Sequence, residues 1–180
     1  RDRSSEWAYG QIDIGFNKYI PMDKANAAAT ASNVFNSTAP TSSVFTVGTY
    51  PLNGDDVIAY CFHSVEGFSR FGTYQGNGST DGVFVYTGFR PAFVVVHRYD
   101  ASGNSWAMFD NKRSDSGFNQ VDKEIALDAN SSEYDRSNAN MDILSNGFKM
   151  RNTDGWHNTS GGDYLFWAFA EQPFKYANAR

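Results

Sequence analysis

The chain has a single cysteine, Cys61, so no internal disulfide can staple it. Leucine is also scarce, with four residues in 180. A core of leucine-faced amphipathic helices is therefore excluded. Positive charge is in deficit: the formal net charge is −5, and Arg1, Arg3 and the Lys112-Arg113 pair are too scattered to form a basic stripe. Phosphate binding needs clustered Lys and Arg, so a nucleic-acid partner is not expected. No stretch reaches the roughly 18 apolar residues that a membrane-crossing helix needs, and no secretory leader pattern is present. The chain opens Arg1-Asp2-Arg3 without a methionine and reads as a piece of a longer polypeptide.

What is present points to sheet. Aromatics make up 16% of the residues, mostly Phe and Tyr, which with Val and Thr suit a half-buried pleated surface. The 16 glycines fit many tight turns. Turn pairs such as Asn53-Gly54, Asn77-Gly78, Asp81-Gly82, Asn146-Gly147 and Asp154-Gly155 alternate with short apolar runs. The expected strands are 7–12, 18–22, 43–48, 56–62, 82–86, 92–99, 105–111, 123–127, 141–144, 148–152 and 164–170. Asn146-Gly147 is expected to form a type I′ hairpin. The alanine-rich stretch 23–32 suits a loop or one helical turn, too poor in large apolar side chains to stand alone. Cys61 lies in Val57-Ile58-Ala59-Tyr60-Cys61-Phe62 and is expected to be buried as a small hydrophobe.

Internal similarity suggests a duplication. Glu6-Trp7-Ala8 resembles Ser105-Trp106-Ala107, and Lys18–Asp23 resembles Lys123–Asp128. Ser43–Val47 aligns with Asn146–Met150, and Asp56–Phe62 with Asp163–Phe169. The expected fold is all-β, with two diverged antiparallel β-sandwich repeats of jelly-roll or concanavalin-like type. The first would span residues 1–71, incomplete at its start, and the second residues 72–180. An incomplete sandwich exposes a strand edge that a neighbour could pair with. Tyr164-Leu165-Phe166-Trp167-Ala168-Phe169 is apolar on both faces, so the sister copy or another subunit should cover its far side.

No catalytic or metal constellation stands out. His63, His97 and His157 share no ligand spacing with each other or with Cys61. His97 suits a satisfied strand histidine, and His63 a local hydrogen bond near Glu66. Asp55, Asp56, Glu66, Asp163 and Glu171 each have a turn or strand-end explanation, so the facing carboxylates of a glycosidase are not visible. No enzyme activity, cofactor or metal is expected. The best candidate site is the loop Asn152–Gly162. Asp154, Trp156, His157 and Asn158 there combine a stacking surface with hydroxyl-pairing groups, as sugar binding requires. Tyr50 and Asp55 would play similar parts in the first repeat. The simpler alternative has Trp156 folded back over the sandwich end.

Several strings resemble a family of uncharacterised modules in tailed-bacteriophage structural proteins, often near the C-terminal end of tail-associated or fibre-like chains. They are Ala39–Gly48, Val57–Gly72, Tyr74–Gly78, Val85–Phe93, Leu144–Lys149 and Ala168–Tyr176. The resemblance covers residues 40–180 well and the first 40 loosely. It implies a lectin-like β-sandwich on the surface of the virion, as a tail fibre, appendage or capsid decoration with an adhesive role. The partners expected are other virion proteins or, from the incomplete first repeat and the doubly apolar run at 164–169, copies of the same chain. A host-glycan (receptor) binding module is the alternative, and a glycan depolymerase a third reading.

Overall fold

In a computed structural model, the structure describes residues 6–50, 56–114, 118–135 and 140–173. Runs of β-branched and aromatic residues between turns give the strands. They are β1 (Ala8–Tyr9), β2 (Lys18–Pro21), β3 (Ala29–Thr30), β4 (Ser69–Gln75), β5 (Phe84–Tyr86), β6 (Pro91–Arg98), β7 (Ala107–Asp110), β8 (Gln120–Val121), β9 (Lys123–Ala126), β10 (Tyr134–Asp135), β11 (Met141–Leu144), β12 (Gly147–Met150) and β13 (Asp163–Ala170). One short helix, α1 (Ser32–Phe35), follows β3. It starts where the alanine-rich stretch ends, with Val34 as its single buried side chain.

The strands form an antiparallel sandwich. A six-stranded sheet runs β10-β9-β7-β6-β13-β4, and a four-stranded sheet β5-β12-β11-β8. A third sheet, β1-β2-β3, belongs to an N-terminal layer. The main core lies between the two larger sheets. Val94 and Val96 of β6, Phe109 of β7, and Tyr164, Phe166 and Ala168 of β13 meet Val85, Met141, Ile143, Phe148 and Met150.

The far face of the six-stranded sheet is also covered. Val95, Trp106 and Leu165 pack there against Ile20, with Tyr9, Ile14 and Met22 around them. Period-two alternation explains the split: Tyr164, Phe166 and Ala168 face one core while Leu165 and Trp167 face the other. Two indoles anchor the second core. Trp106 Nε1 donates to the Pro21 carbonyl at 3.1 Å, and Trp167 Nε1 donates to the Tyr9 hydroxyl at 2.8 Å. The far side of β13 is thus covered by residues 8–22 of the same chain.

Several expectations need correction. The hairpin at residues 141–150 has Ser145 and Asn146 as its turn, since Leu144 pairs with Gly147. Neither has positive φ, so the turn is not type I′. Gly147 serves close approach instead: a Cβ there would lie 2.1 Å from the Val85 carbonyl oxygen. Residues 43–48 and 56–62 join no strand. Cys61 is exposed, not buried. Strand β4 was not anticipated, and it runs across the expected 71/72 boundary. The segments aligned as repeats also sit differently. Trp7 is 57% exposed and Trp106 fully buried. Asp56–Phe62 lies outside any ladder, whereas its counterpart β13 pairs with β4 and β6.

Candidate functional site

The loop between β12 and β13 closes on itself. Asp154 Oδ1 accepts the Trp156 N–H at 2.8 Å, and the Asp154 carbonyl accepts the N–H groups of His157 and Asn158. The Tyr164 hydroxyl donates to the Gly155 carbonyl at 2.8 Å and accepts the Thr159 N–H at 2.9 Å. Burial pushes the pKa of Tyr164 up, which keeps its phenol protonated as a donor.

The structure buries two of the expected ligand residues, and this is a correction. Asn158 is fully buried and ties its loop to the 76–82 loop. Its amide donates to Asn77 Oδ1, the Ser79 carbonyl and the Asn152 carbonyl, and its Oδ1 accepts the Asn77 N–H. His157 is equally buried, with Nε2 2.9 Å from Glu124 Oε2. The approach is off the N–H axis, so the pair has ion-pair distance without a well-formed hydrogen bond. Asn152 sits 3.2 Å from His157 Nδ1 and donates to Asn140 Oδ1 at 2.7 Å, and Asn140 lies 3.3 Å from Glu124 Oε2. Both ring and carboxylate are sealed from solvent in this conformation. Buried polar groups of this kind hold a loop in place when they are paired.

Trp156 is half-buried, edge-on to Tyr134 at 5.6 Å. Tyr50 lies elsewhere, on the N-terminal layer, where its ring is 6.3 Å from Tyr19 and its N–H donates to the Asn33 carbonyl. Asp55 lies outside the described residues. Asp154, Trp156, His157 and Asn158 thus share one loop, and Tyr50 lies apart from it. The missed partner was Glu124. Its signal was phase: it shares a strand face with Ala126, which makes it inward-pointing on β9.

His97 lies in β6 as expected but is only half satisfied: its Nδ1 is buried without a hydrogen-bond partner. Its ring stacks on Trp106 with centroids 4.2 Å apart, and its Nε2 lies 2.9 Å from the Asn26 carbonyl oxygen. Burial lowers its pKa to about 4. His63 makes a local contact, with Nδ1 3.0 Å from the Ser64 carbonyl oxygen.

A second feature lies at the sandwich edge. A cleft of about 400 Å³ opens between β4 and β5, walled by residues 70–74 and 84–86, with Phe166 at its base and Asp13 beside it. Both walls are the outermost strands of their sheets among the described residues. In β4, the even residues bond β13, so the backbone of Thr73 points to the open edge. In β5, Val83, Val85 and Thr87 serve β12, so the backbone groups of Phe84 and Tyr86 are on the open side.

Beside this edge lies an exposed apolar stretch. Ile58 is 68% exposed, Tyr60 67% and Phe62 66%. The stretch touches the body lightly: Tyr60 stacks on Trp7 at 6.3 Å, and Phe62 stands 6.0 Å from Phe71. Val44, Phe45 and Val47 are exposed as well.

No curated protein and no solved structure matches the chain. Residues 1–173 match the family model described as a domain of unknown function, DUF7483. That match takes in the N-terminal layer, the sandwich and the edge cleft together, and the chain belongs to this family.

Proposed function

We propose that the protein is a self-assembling structural component of a bacteriophage virion, in a tail fibre, appendage or capsid decoration, with an adhesive surface. The observation that carries this reading is the exposed stretch Val57–Phe62. A single folded copy rarely leaves large apolar side chains in water as a contiguous patch, and such patches mark contact surfaces. A chain working in many copies on a particle covers them with its neighbours. The role is mechanical and needs no cofactor. The native mass in solution tests it. A stable multimer at micromolar concentration is expected, and a clean monomer across that range overturns it. Antibody against the protein should also label the surface of intact particles.

Host-glycan binding is the second reading, favoured by the exposed aromatics of β5. Phe84 and Tyr86 project from the outer face of the four-stranded sheet, on the side that carries Lys149. With His157 and Asn158 buried, Asp154 and Trp156 are the loop groups left partly open to a sugar. Binding on a glycan array that is lost in Tyr86→Ala would favour the sheet face, and loss in Trp156→Ala would favour the loop.

A further inference from the structure

We propose that residues 56–62 of one copy enter the β4–β5 cleft of a second copy as an added strand, an inference that rests on the self-assembly reading above and names its contact. Three observations converge.

The first is the cleft itself. An edge strand with open N–H and C=O groups is a template for another strand, and here two edges line one opening: β4 at Thr73, beyond the Ser69 and Phe71 groups that Ser64 and Val65 already hold, and β5 at Phe84 and Tyr86. The cleft wall is low at Gly72, where a Cβ would come within 2.9 Å of the Phe166 ring.

The second is the sequence of the segment. In an extended conformation Val57, Ala59 and Cys61 fall on one face, and Ile58, Tyr60 and Phe62 on the other. The small row fits over Gly72 and Phe166, while the large row covers the rim. Val57, Ile58, Tyr60 and Phe62 offer about 500 Å² of side chain. Reciprocal exchange buries two such segments and the surfaces they cover. That brings the contact into the roughly 1,200–2,000 Å² range of stable pairs.

The third is that the segment is held away from the cleft of its own chain. The Val65 N–H donates to the Ser69 carbonyl, and the Ser69 N–H donates back to the Val65 carbonyl, in a tight reversal before β4. Ser64 Oγ then takes the Phe71 N–H at 3.0 Å, in place of a continuing backbone ladder. Phe62 turns onto Phe71 and Phe169, on the face of β4 and β13 opposite Phe166. To fill its own cleft, the segment would have to cross the β4 edge.

Cys61 is the one native thiol, which makes the test clean. Thr73→Cys and Tyr86→Cys each add one thiol to a wall of the cleft, and Thr153→Cys adds one to a remote exposed loop. Mild oxidation should join Cys61 of one chain to position 73 or 86 of another. The link is read by peptide mass spectrometry on mixed isotope-labelled and unlabelled chains. Either wall variant should cross-link at least about tenfold faster than Thr153→Cys, because a docked segment holds its thiol at high effective concentration. A disulfide within one chain, or rates equal to Thr153→Cys in a protein that is still multimeric, overturns strand insertion and leaves the assembly reading standing. A monomeric wild-type protein overturns both.

Discussion

Two stretches of this chain have nearly the same chemistry and opposite fates. Val57–Phe62 and β13 are both short, aromatic and apolar. Strand β13 has a paired strand on each side and a packed core on each face. Val57–Phe62 joins no ladder and leaves most of its side chains in water. Composition therefore states a demand for burial, and neighbours decide whether one copy of the chain can meet it. Strand β13 finds neighbours brought from residues 69–75 and 91–98, while the other stretch is pinned by the turn before β4.

The sharpest way to strain the contrast is to remove what covers β13. Trp106→Ala opens a cavity in the second core and strands the Pro21 carbonyl. It should cost about 3–5 kcal/mol in denaturant unfolding. A cost below about 1 kcal/mol would mean that the N-terminal layer contributes little to the fold.

Acid should weaken the same layer by a smaller amount. His97 faces Trp106 and the Asn26 carbonyl, with Ser105 and the Asp128 charge close by. Its pKa falls from 6.5 unfolded to about 4 folded, so the unfolded chain binds the extra proton. The resulting stability loss starts as pH falls through 6.5 and is complete near 4, reaching at most about 3 kcal/mol. Unfolding measured at pH 7 and pH 4.5 should differ more for wild type than for His97→Gln. Identical differences would mean that other groups carry the acid sensitivity.

Asn158→Ala removes the tie between two loops and leaves their groups without partners, for a cost of roughly 2 kcal/mol. Hydrogen exchange should quicken at Asn77 and Gly78, whose N–H groups bond Asn158. The smallest effect on folding should come from the exposed stretch. Ile58→Asp should shift stability by no more than about 0.5 kcal/mol, as solvent-facing changes do, yet lower the native mass of the assembly. A large loss of stability there would show that the stretch is part of one copy's own core.

How far the sequence could be read follows from the same contrast. Met141–Leu144 was legible to the residue from its alternation, although the turn after it is Ser145-Asn146 and not the Asn146-Gly147 pair. The apolar run of β13 correctly signalled cover on both faces. Of the two covers expected, residues 1–71 or another subunit, residues 8–22 supply it, though nothing local says that Trp106 and Leu165 will meet Ile20. Strand β4 escaped notice because Ser69-Arg70-Phe71-Gly72-Thr73-Tyr74-Gln75 is polar and glycine-bearing, as an edge strand can afford to be. At the candidate loop, residue types suggested a sugar site. Side-chain direction, which buries His157 and Asn158, depends on Glu124 and Asn77, distant in sequence.

The position of β13 also sets a timetable for folding. Among the described residues it is the last strand in sequence, and it is an interior strand of the largest sheet, with β4 on one side and β6 on the other. During synthesis β4 and β6 emerge with no partner between them, and the N-terminal layer waits for a surface that does not yet exist. Neither core can close until about residue 170 has left the ribosome, so the fold should form late and all at once. A nascent chain stalled before Asp163 should be digested by protease throughout, and one released after Ala170 should resist.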